Sequence, residues 1–175
     1  CAAGIPTPET HEAATTAESF RRQIERLRLH AVFVKPRWGS SGAGVLAFRR
    51  SGLREQITTT AQLVDGVLWN EKRLHTYHDR TAIDALLTAV LSDGAVVQRW
   101  IPKATTEKGP FDLRVLVIGG RISQQIARVG RGTITNLHID AERREVSEAL
   151  AKFPASVLSS LHEVCRQTAA CFPAQ

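Results

Sequence analysis

Hairpins interleaved with helices predict an α+β fold for this chain, not a doubly wound parallel sheet. Two observations carry that expectation. The Gly119-Gly120 pair sits between two runs of strand-forming residues, a strong hairpin signal. Two helical stripes fall among other short β-branched runs without alternating regularly with them, and no internal repeat or low-complexity segment is present.

The elements follow in order. Thr7-Pro8-Glu9 reads as a helix start, with a capping hydroxyl, a proline whose missing N–H costs nothing there, and an acid in the first turn. Ala13, Ala17, Phe20, Ile24 and Leu27 recur at helical steps, so this helix is expected to run to about Leu29. Ala31 to Val34 reads as a buried strand, Pro36 to Gly44 as a loop, and Val45 to Phe48 as a second strand. The Ser51-Gly52 turn leads into Gln56–Thr60, and Val67–Trp69 and Leu74–Tyr77 add two further short strands. Asp79 or Thr81 caps a second helix whose stripe is Ile83, Leu86, Leu87 and Val90, ending at Asp93-Gly94. Ala95 to Ile101 reads as a strand. Asp112–Ile118 and Arg121–Val129 form the Gly-Gly hairpin, with Leu113, Val115 and Val117 on one face and Arg114 and Leu116 on the other. A last helix covers about Ser156 to Cys171, with Val157, Leu161, Val164 and Cys165 on one side.

The 175 residues are 43% hydrophobic, which excludes disorder and suits one domain with room for two lobes. No apolar run approaches the roughly 18 residues a bilayer crossing needs, so no membrane partner is expected. The cysteines Cys1, Cys165 and Cys171 are too few for a disulfide framework, and a reducing cytoplasm is the expected location. A chain that begins with Cys and contains no Met is expected to be a fragment of something longer. The net charge of +6 favours anionic partners such as nucleotides, phosphorylated metabolites or acidic peptides. Much of the excess is scattered as Arg pairs, and with 6% aromatic residues and no recognition motif a nucleic-acid partner is not expected.

Three constellations carry chemistry. In Lys35-Pro-Arg-Trp-Gly39-Ser40-Ser41-Gly42-Ala-Gly44, small residues let successive backbone N–H groups converge on an anion, with Lys35 at the loop's root to meet it. The loop is not a Walker sequence, because the lysine precedes the glycines, and it leads into a strand, unlike a dinucleotide fingerprint. In Gly109-Pro-Phe-Asp112-Leu-Arg114, the two-residue spacing puts Asp112 and Arg114 on one sheet face, where they form either an anion grip or a weak surface pair. In Arg128-Val-Gly-Arg131-Gly-Thr-Ile-Thr135-Asn136-Leu-His138, guanidinium, amide, hydroxyl and imidazole groups cluster near glycines. His75 and His78 read as surface histidines. Trp38 either covers a ligand or anchors the loop.

Taken in order, these segments resemble the ATP-grasp superfamily of carboxylate–amine ligases, in the branch of ribosomal-protein glutamate ligase and glutathione synthetase. Gly4-Ile-Pro-Thr-Pro8 is similar to the entry segment, Ala31 to Val45 to the lysine strand and flexible glycine loop, and Val97-Gln-Arg-Trp-Ile101 to the hinge beside adenine. Phe111 to Gly120 resembles the D-x-R hairpin, and Thr135-Asn-Leu-His138 the TN-x-H segment. The resemblance implies two lobes, residues 1–97 and 98–175, with a nucleotide cleft between them, and ATP with Mg²⁺ as cofactors. It implies that Lys35 contacts phosphates while Gly39, Ser40, Ser41, Gly42 and Gly44 fold over them. Gln98, Trp100 and Ile101 would border adenine, and Asp112 would belong to the nucleotide site. Arg114, Arg128 and Asn136 would serve phosphoryl transfer, and His138 would stand near the acceptor. The second substrate would be a small carboxylate and amine, or a peptide. The family's acidic E-x-N strand, which binds Mg²⁺, has no counterpart before Gln175, so metal ligands are expected outside this chain and the fragment by itself is expected to be inactive. A non-catalytic nucleotide-binding or scaffold module is the alternative expectation.

Overall fold

The computed structural model describes residues 4–137, 139 and 141–172. The chain forms two compact units, one of Pro8–Pro102 and one of the chain from Lys103 onward with the residues before Pro8. Every strand pairing is antiparallel and helices accompany both sheets, so the fold is α+β. None of the described helices is long and apolar enough to cross a membrane.

The Pro8–Pro102 unit contains β1 (Thr10–Glu12), α1 (Ala17–Arg26), β2 (Ala31–Pro36), β3 (Leu46–Ser51), β4 (Arg54–Val64), β5 (Val67–Tyr77), α2 (Arg80–Ser92) and β6 (Ala95–Arg99). Its six strands run in the order β1-β6-β2-β3-β4-β5. Alternation along β2 buries Val32 and Val34 and turns Phe33 and Lys35 to the other face. The buried face packs Phe48, Ile57 and Val97 against Phe20 and Ile24 of α1 and against Ile83, Leu86, Leu87 and Val90 of α2. The Phe20 and Phe48 rings meet edge to face at 5.2 Å. Each such side chain contributes about 1.5–3 kcal/mol on burial, so this stripe holds the helices to the sheet.

Two expectations need correction here. Thr7-Pro8-Glu9 does not start a helix. α1 begins after Thr16, whose hydroxyl accepts from the Ser19 N–H while the Ser19 hydroxyl accepts from the Thr16 N–H, both at 3.1 Å. Residues 10–12 instead pair with β6, and the Glu9 carboxylate takes two N–H groups of Arg99 at 2.9 and 2.5 Å. The upstream capping pattern is real chemistry, but strand partners from β6 satisfy that backbone better than a helix turn. The two short strands expected at 67–77 are one, β5, paired along β4 through a bulge at Thr59/Ala61. Asp65 and Gly66 close this hairpin with φ of 51° and 78°, the left-handed pair such a turn requires.

Asp79, not Thr81, caps α2 by accepting from the Ala82 N–H at 2.9 Å. A buried ion-pair cluster ties three elements of this unit together. Arg21 of α1 donates from its ε and η nitrogens to Glu55 of β4 at 2.8 and 2.7 Å, and lies 2.5 Å from Asp84 of α2.

The other unit contains β7 (Thr105–Thr106), β8 (Gly109–Ile118), β9 (Arg121–Val129), β10 (Glu142–Arg144), α3 (Val146–Ala149) and α4 (Ala155–Ala170), with its strands in the order β10-β9-β8-β7. Phe111, Ala127, Val129 and Ala149 form its small core. α4 lies against β8 and β9, and His162 shares a 2.7 Å hydrogen bond with Gln125. No residue of α4 is fully buried, so the expected stripe of Val157, Leu161, Val164 and Cys165 is only partly covered. Asp112, Arg114 and Arg128 occupy the same face of the β8–β9 ribbon, since Arg128 stands opposite Asp112.

Candidate functional site

Candidate chemistry occurs in both units, and each part is built by its own strands. In the Pro8–Pro102 unit, register places Phe33 of β2 opposite Gln98 of β6 and Lys35 opposite Val96. All four point away from the helices. The Lys35 ammonium donates to Gln98 Oε1 at 2.5 Å, and Gln98 passes its own amide N–H to Thr10 Oγ1 of β1 at 3.1 Å. Phe33 presents its ring 5.7 Å below the ammonium, and Trp100 stacks at a tilt on Phe33 with ring centres 5.2 Å apart. Among the described residues no carboxylate pairs with Lys35; burial alone lowers its pKa from the ordinary 10.5. A half-buried cation whose partners are an amide and a ring keeps its charge available for an anion.

The loop after Lys35 turns tightly before β3 begins. Ser41, Gly42 and Gly44 adopt φ of 56°, 77° and 67°, so the chain turns tightly, and the Ala43 N–H closes onto the Ser40 carbonyl at 3.0 Å. Gly44 is buried where a Cβ would fall 2.9 Å from Pro36 Cγ, and its N–H reaches Asn70 Oδ1 of β5 at 3.3 Å. Thr60 donates to the same Asn70 oxygen at 3.0 Å, so the loop's return end is fixed to the β4–β5 hairpin. The outer residues Trp38 to Ser41 are exposed; Trp38 itself is 82% exposed and therefore does not anchor the loop.

In the other unit the organising residue is Asp112. Arg128 grips its carboxylate in a two-pronged fashion, Nε to Oδ1 at 2.7 Å and an η nitrogen to Oδ2 at 2.8 Å. Lys103 stands 3.3 Å from Oδ2, and Thr135 donates its hydroxyl to that same oxygen while accepting from Lys103 Nζ. Burial raises the Asp112 pKa, but the hydrogen bonds from Arg128 and Thr135 and the positive charges of Arg128 and Lys103 outweigh it and hold the carboxyl below its ordinary value. Two glycines permit this closeness. A Cβ on Gly109 would lie 2.2 Å from the Gly130 carbonyl oxygen, and the Gly130 N–H bonds to the Pro110 carbonyl at 3.0 Å. The segment after β9 is thus pressed onto the start of β8, which brings Thr135 to Asp112.

The sequence-derived residues fall into these two groups. Lys35, Gln98 and Trp100 come together through β2 and β6, while Ile101 lies beyond β6 and is 55% exposed. Gly39, Ser40, Ser41, Gly42 and Gly44 form the loop that follows Lys35. Asp112 and Arg128 are joined directly, which corrects the expected Asp112–Arg114 pair: cross-strand neighbours lie closer than residues two apart on one strand. Arg114 is exposed on the same face and forms no ion pair among the described residues. Asn136 is half-buried, and its carbonyl accepts from the N–H groups of Ile139 and Ala141 at 3.0 and 3.2 Å. His138 lies outside the described residues. Sequence reasoning missed Lys103 and Asn70, which belong to no motif; only their pairing in space marks them.

Chemically, the first group suits an anion, and the second is a preassembled guanidinium–carboxylate–hydroxyl set. Among the described residues no group of three or more His, Cys, Asp or Glu side chains is placed to hold a metal ion. Both oxygens of Asp112 accept hydrogen bonds, Oδ1 from Arg128 and Oδ2 from Arg128 and Thr135. Compared with known proteins, residues 6–175 match the model of a family described as YheC/D like ATP-grasp. No curated protein and no solved structure matches the chain.

Proposed function

Because the chain belongs to the YheC/D-like ATP-grasp family, whose membership brings ATP binding and ligase-type chemistry, we propose that it is the ATP-binding portion of a carboxylate–amine ligase. The observation that carries this reading is the half-buried Lys35 ammonium, held by a neutral amide at the root of a glycine loop. In this reading Lys35 meets the nucleotide phosphates and the segment Gly39–Gly44 folds over them. Gln98, Trp100 and Ile101 border the base. Arg114 and Arg128 offset the charge of the transferring phosphoryl group, Asn136 holds one of its oxygens, and His138 stands by the acceptor. Asp112 serves by orienting Arg128.

Such a reaction asks little covalent chemistry of the protein. A substrate carboxylate oxygen attacks the terminal phosphorus, the bond to ADP breaks, and an acyl phosphate forms. An amine then attacks the acyl carbon, phosphate leaves, and the amine gives up a proton. Positioned cations and N–H donors stabilise the charge that moves. Mg²⁺, which the family implies, would shield the phosphates and would take its carboxylates from outside the described residues, since those present do not form a site for it. These residues by themselves would then turn over little or no ATP.

The test is ADP formation by the full-length protein with Mg²⁺, ATP and candidate amino acids or peptides. Turnover that depends on both an acid and an amine is expected, and failure to bind any nucleotide would overturn the reading. The lack of a metal-binding group among the described residues favours one second reading, a nucleotide-binding module without catalysis. It differs in one outcome: ATP binds the intact protein and is never consumed.

A further inference from the structure

Lys103 has no place in any sequence motif of this chain, yet among the described residues it joins Asp112, Arg128 and Thr135 in one polar cluster. Its backbone neighbour is fixed, because the Phe111 N–H of β8 donates to the Ala104 carbonyl at 2.9 Å. From there the side chain, about three-quarters covered, reaches across to Asp112 Oδ2 at 3.3 Å and to the Thr135 hydroxyl. Thr135 is 4% exposed, and its hydroxyl uses its proton on Asp112 while a lone pair takes the lysine N–H. One ammonium therefore decides which way that hydroxyl points.

The consequence reaches two neighbours. Asn136 follows Thr135 directly, so fixing Thr135 fixes the start of the Asn136 backbone. Arg128 spends its fork on the same carboxylate that Lys103 and Thr135 hold. A carboxylate bonded only to Arg128 could rotate with it; one bonded from three sides cannot. We propose that Lys103 is a positioning residue, which locks Thr135 and Asp112 so that Asn136 and Arg128 keep their donors aimed at the phosphoryl end of the bound nucleotide. This inference rests on the nucleotide reading above and adds a residue and a role to it.

The experiment compares binding of ATP and of AMP, each with Mg²⁺, by titration calorimetry on the full-length protein. Lys103→Met keeps the aliphatic stem and removes the donors, and is expected to weaken ATP by about tenfold while changing AMP by less than about twofold, the size of losing a charge-assisted hydrogen bond. Lys103→Arg, which can donate to both oxygens, should recover most of the loss. Thr135→Val should reproduce the effect of Lys103→Met, and the double variant should be no worse than either single one if the residues act as one unit. Should Lys103→Met fail to fold, Thr135→Val carries the same comparison. A wild type that prefers ATP, with Lys103→Met matching it, overturns the inference alone. Equal losses for ATP and AMP together with a lower thermal midpoint make Lys103 merely structural and also overturn it. A wild type that binds neither nucleotide removes the nucleotide reading and this inference with it.

Discussion

At the scale of single residues, two ionisable groups are displaced in ways that solution measurements can read. Lys35 has its pKa lowered by burial, so between its folded value and the ordinary 10.5 the unfolded chain holds more protons than the folded one. Stability due to this residue therefore rises with pH across that window. A bound phosphate would favour the ammonium and return the proton. We expect ATP binding just below the ordinary lysine range to take up protons, seen as a heat that depends on the buffer's ionisation enthalpy, and Lys35→Met to abolish the uptake. The same variant should weaken ATP by about 10–100-fold while leaving the thermal midpoint near wild type. A collapse of the midpoint would make Lys35 structural. Asp112 is also displaced downward, its carboxyl held down by Arg128 and Thr135 against the opposing effect of burial, so that here the charged form is the one favoured. Its contribution is complete above the ordinary value near 3.8 and is lost as pH falls through the folded value. Asp112→Asn should cost about 1–3 kcal/mol at neutral pH by removing the negative charge that Arg128 and Lys103 share, with the gap to wild type closing in acid. A gap that persists unchanged in acid would show that charge is not the cause.

At the scale of elements, the loops work because backbone approaches backbone where no side chain intervenes. Gly109, at φ 134°, lies so close to the Gly130 carbonyl that an added methyl group has no flexible neighbour to displace. Gly109→Ala should therefore cost about 3 kcal/mol or more, read in urea unfolding, and should loosen Thr135 from Asp112. A near-neutral Gly109→Ala would mean that β8 and the segment after β9 are not held together as described. Helix starts show how local signals are arbitrated. Thr7-Pro8-Glu9 and Thr16 both carry capping chemistry, but only the segment after Thr16 can bury Phe20 and Ile24 on one face while leaving residues 10–12 to pair with β6. The periodic residues were legible because burial enforces period; which cap wins was not, because a strand elsewhere in the chain decides it.

At the scale of the molecule, the Pro8–Pro102 unit depends on one charged cluster inside its apolar framework. Arg21 joins α1 to β4 and α2, and the Glu55 side chain it contacts is 5% exposed. Arg21→Met should destabilise this unit by about 3 kcal/mol because it leaves a buried carboxylate short of its main partner, with Arg80 at 3.8 Å as a partial substitute. Adding Glu55→Gln to that variant should restore part of the loss; no restoration would mean that lost packing of the arginine stem dominates. The +6 net charge acts across the whole surface and suits an anionic ligand, without selecting which one.

The α+β class, the strand carrying Lys35, the glycine loop, the hairpin of Asp112 and Arg128, and the family these segments compose are all readable along the chain. Each of those rests on periodicity or on residues adjacent in the chain, and such signals survive without a partner. Folding adds that Lys35 rests on Gln98, that Asp112 answers to Arg128 instead of Arg114, and that Lys103 and Thr135 complete its shell. Those are contacts between residues 9 to 63 positions apart. Strand register and glycine-permitted close approach create them, and neither is written in any local stretch of chain.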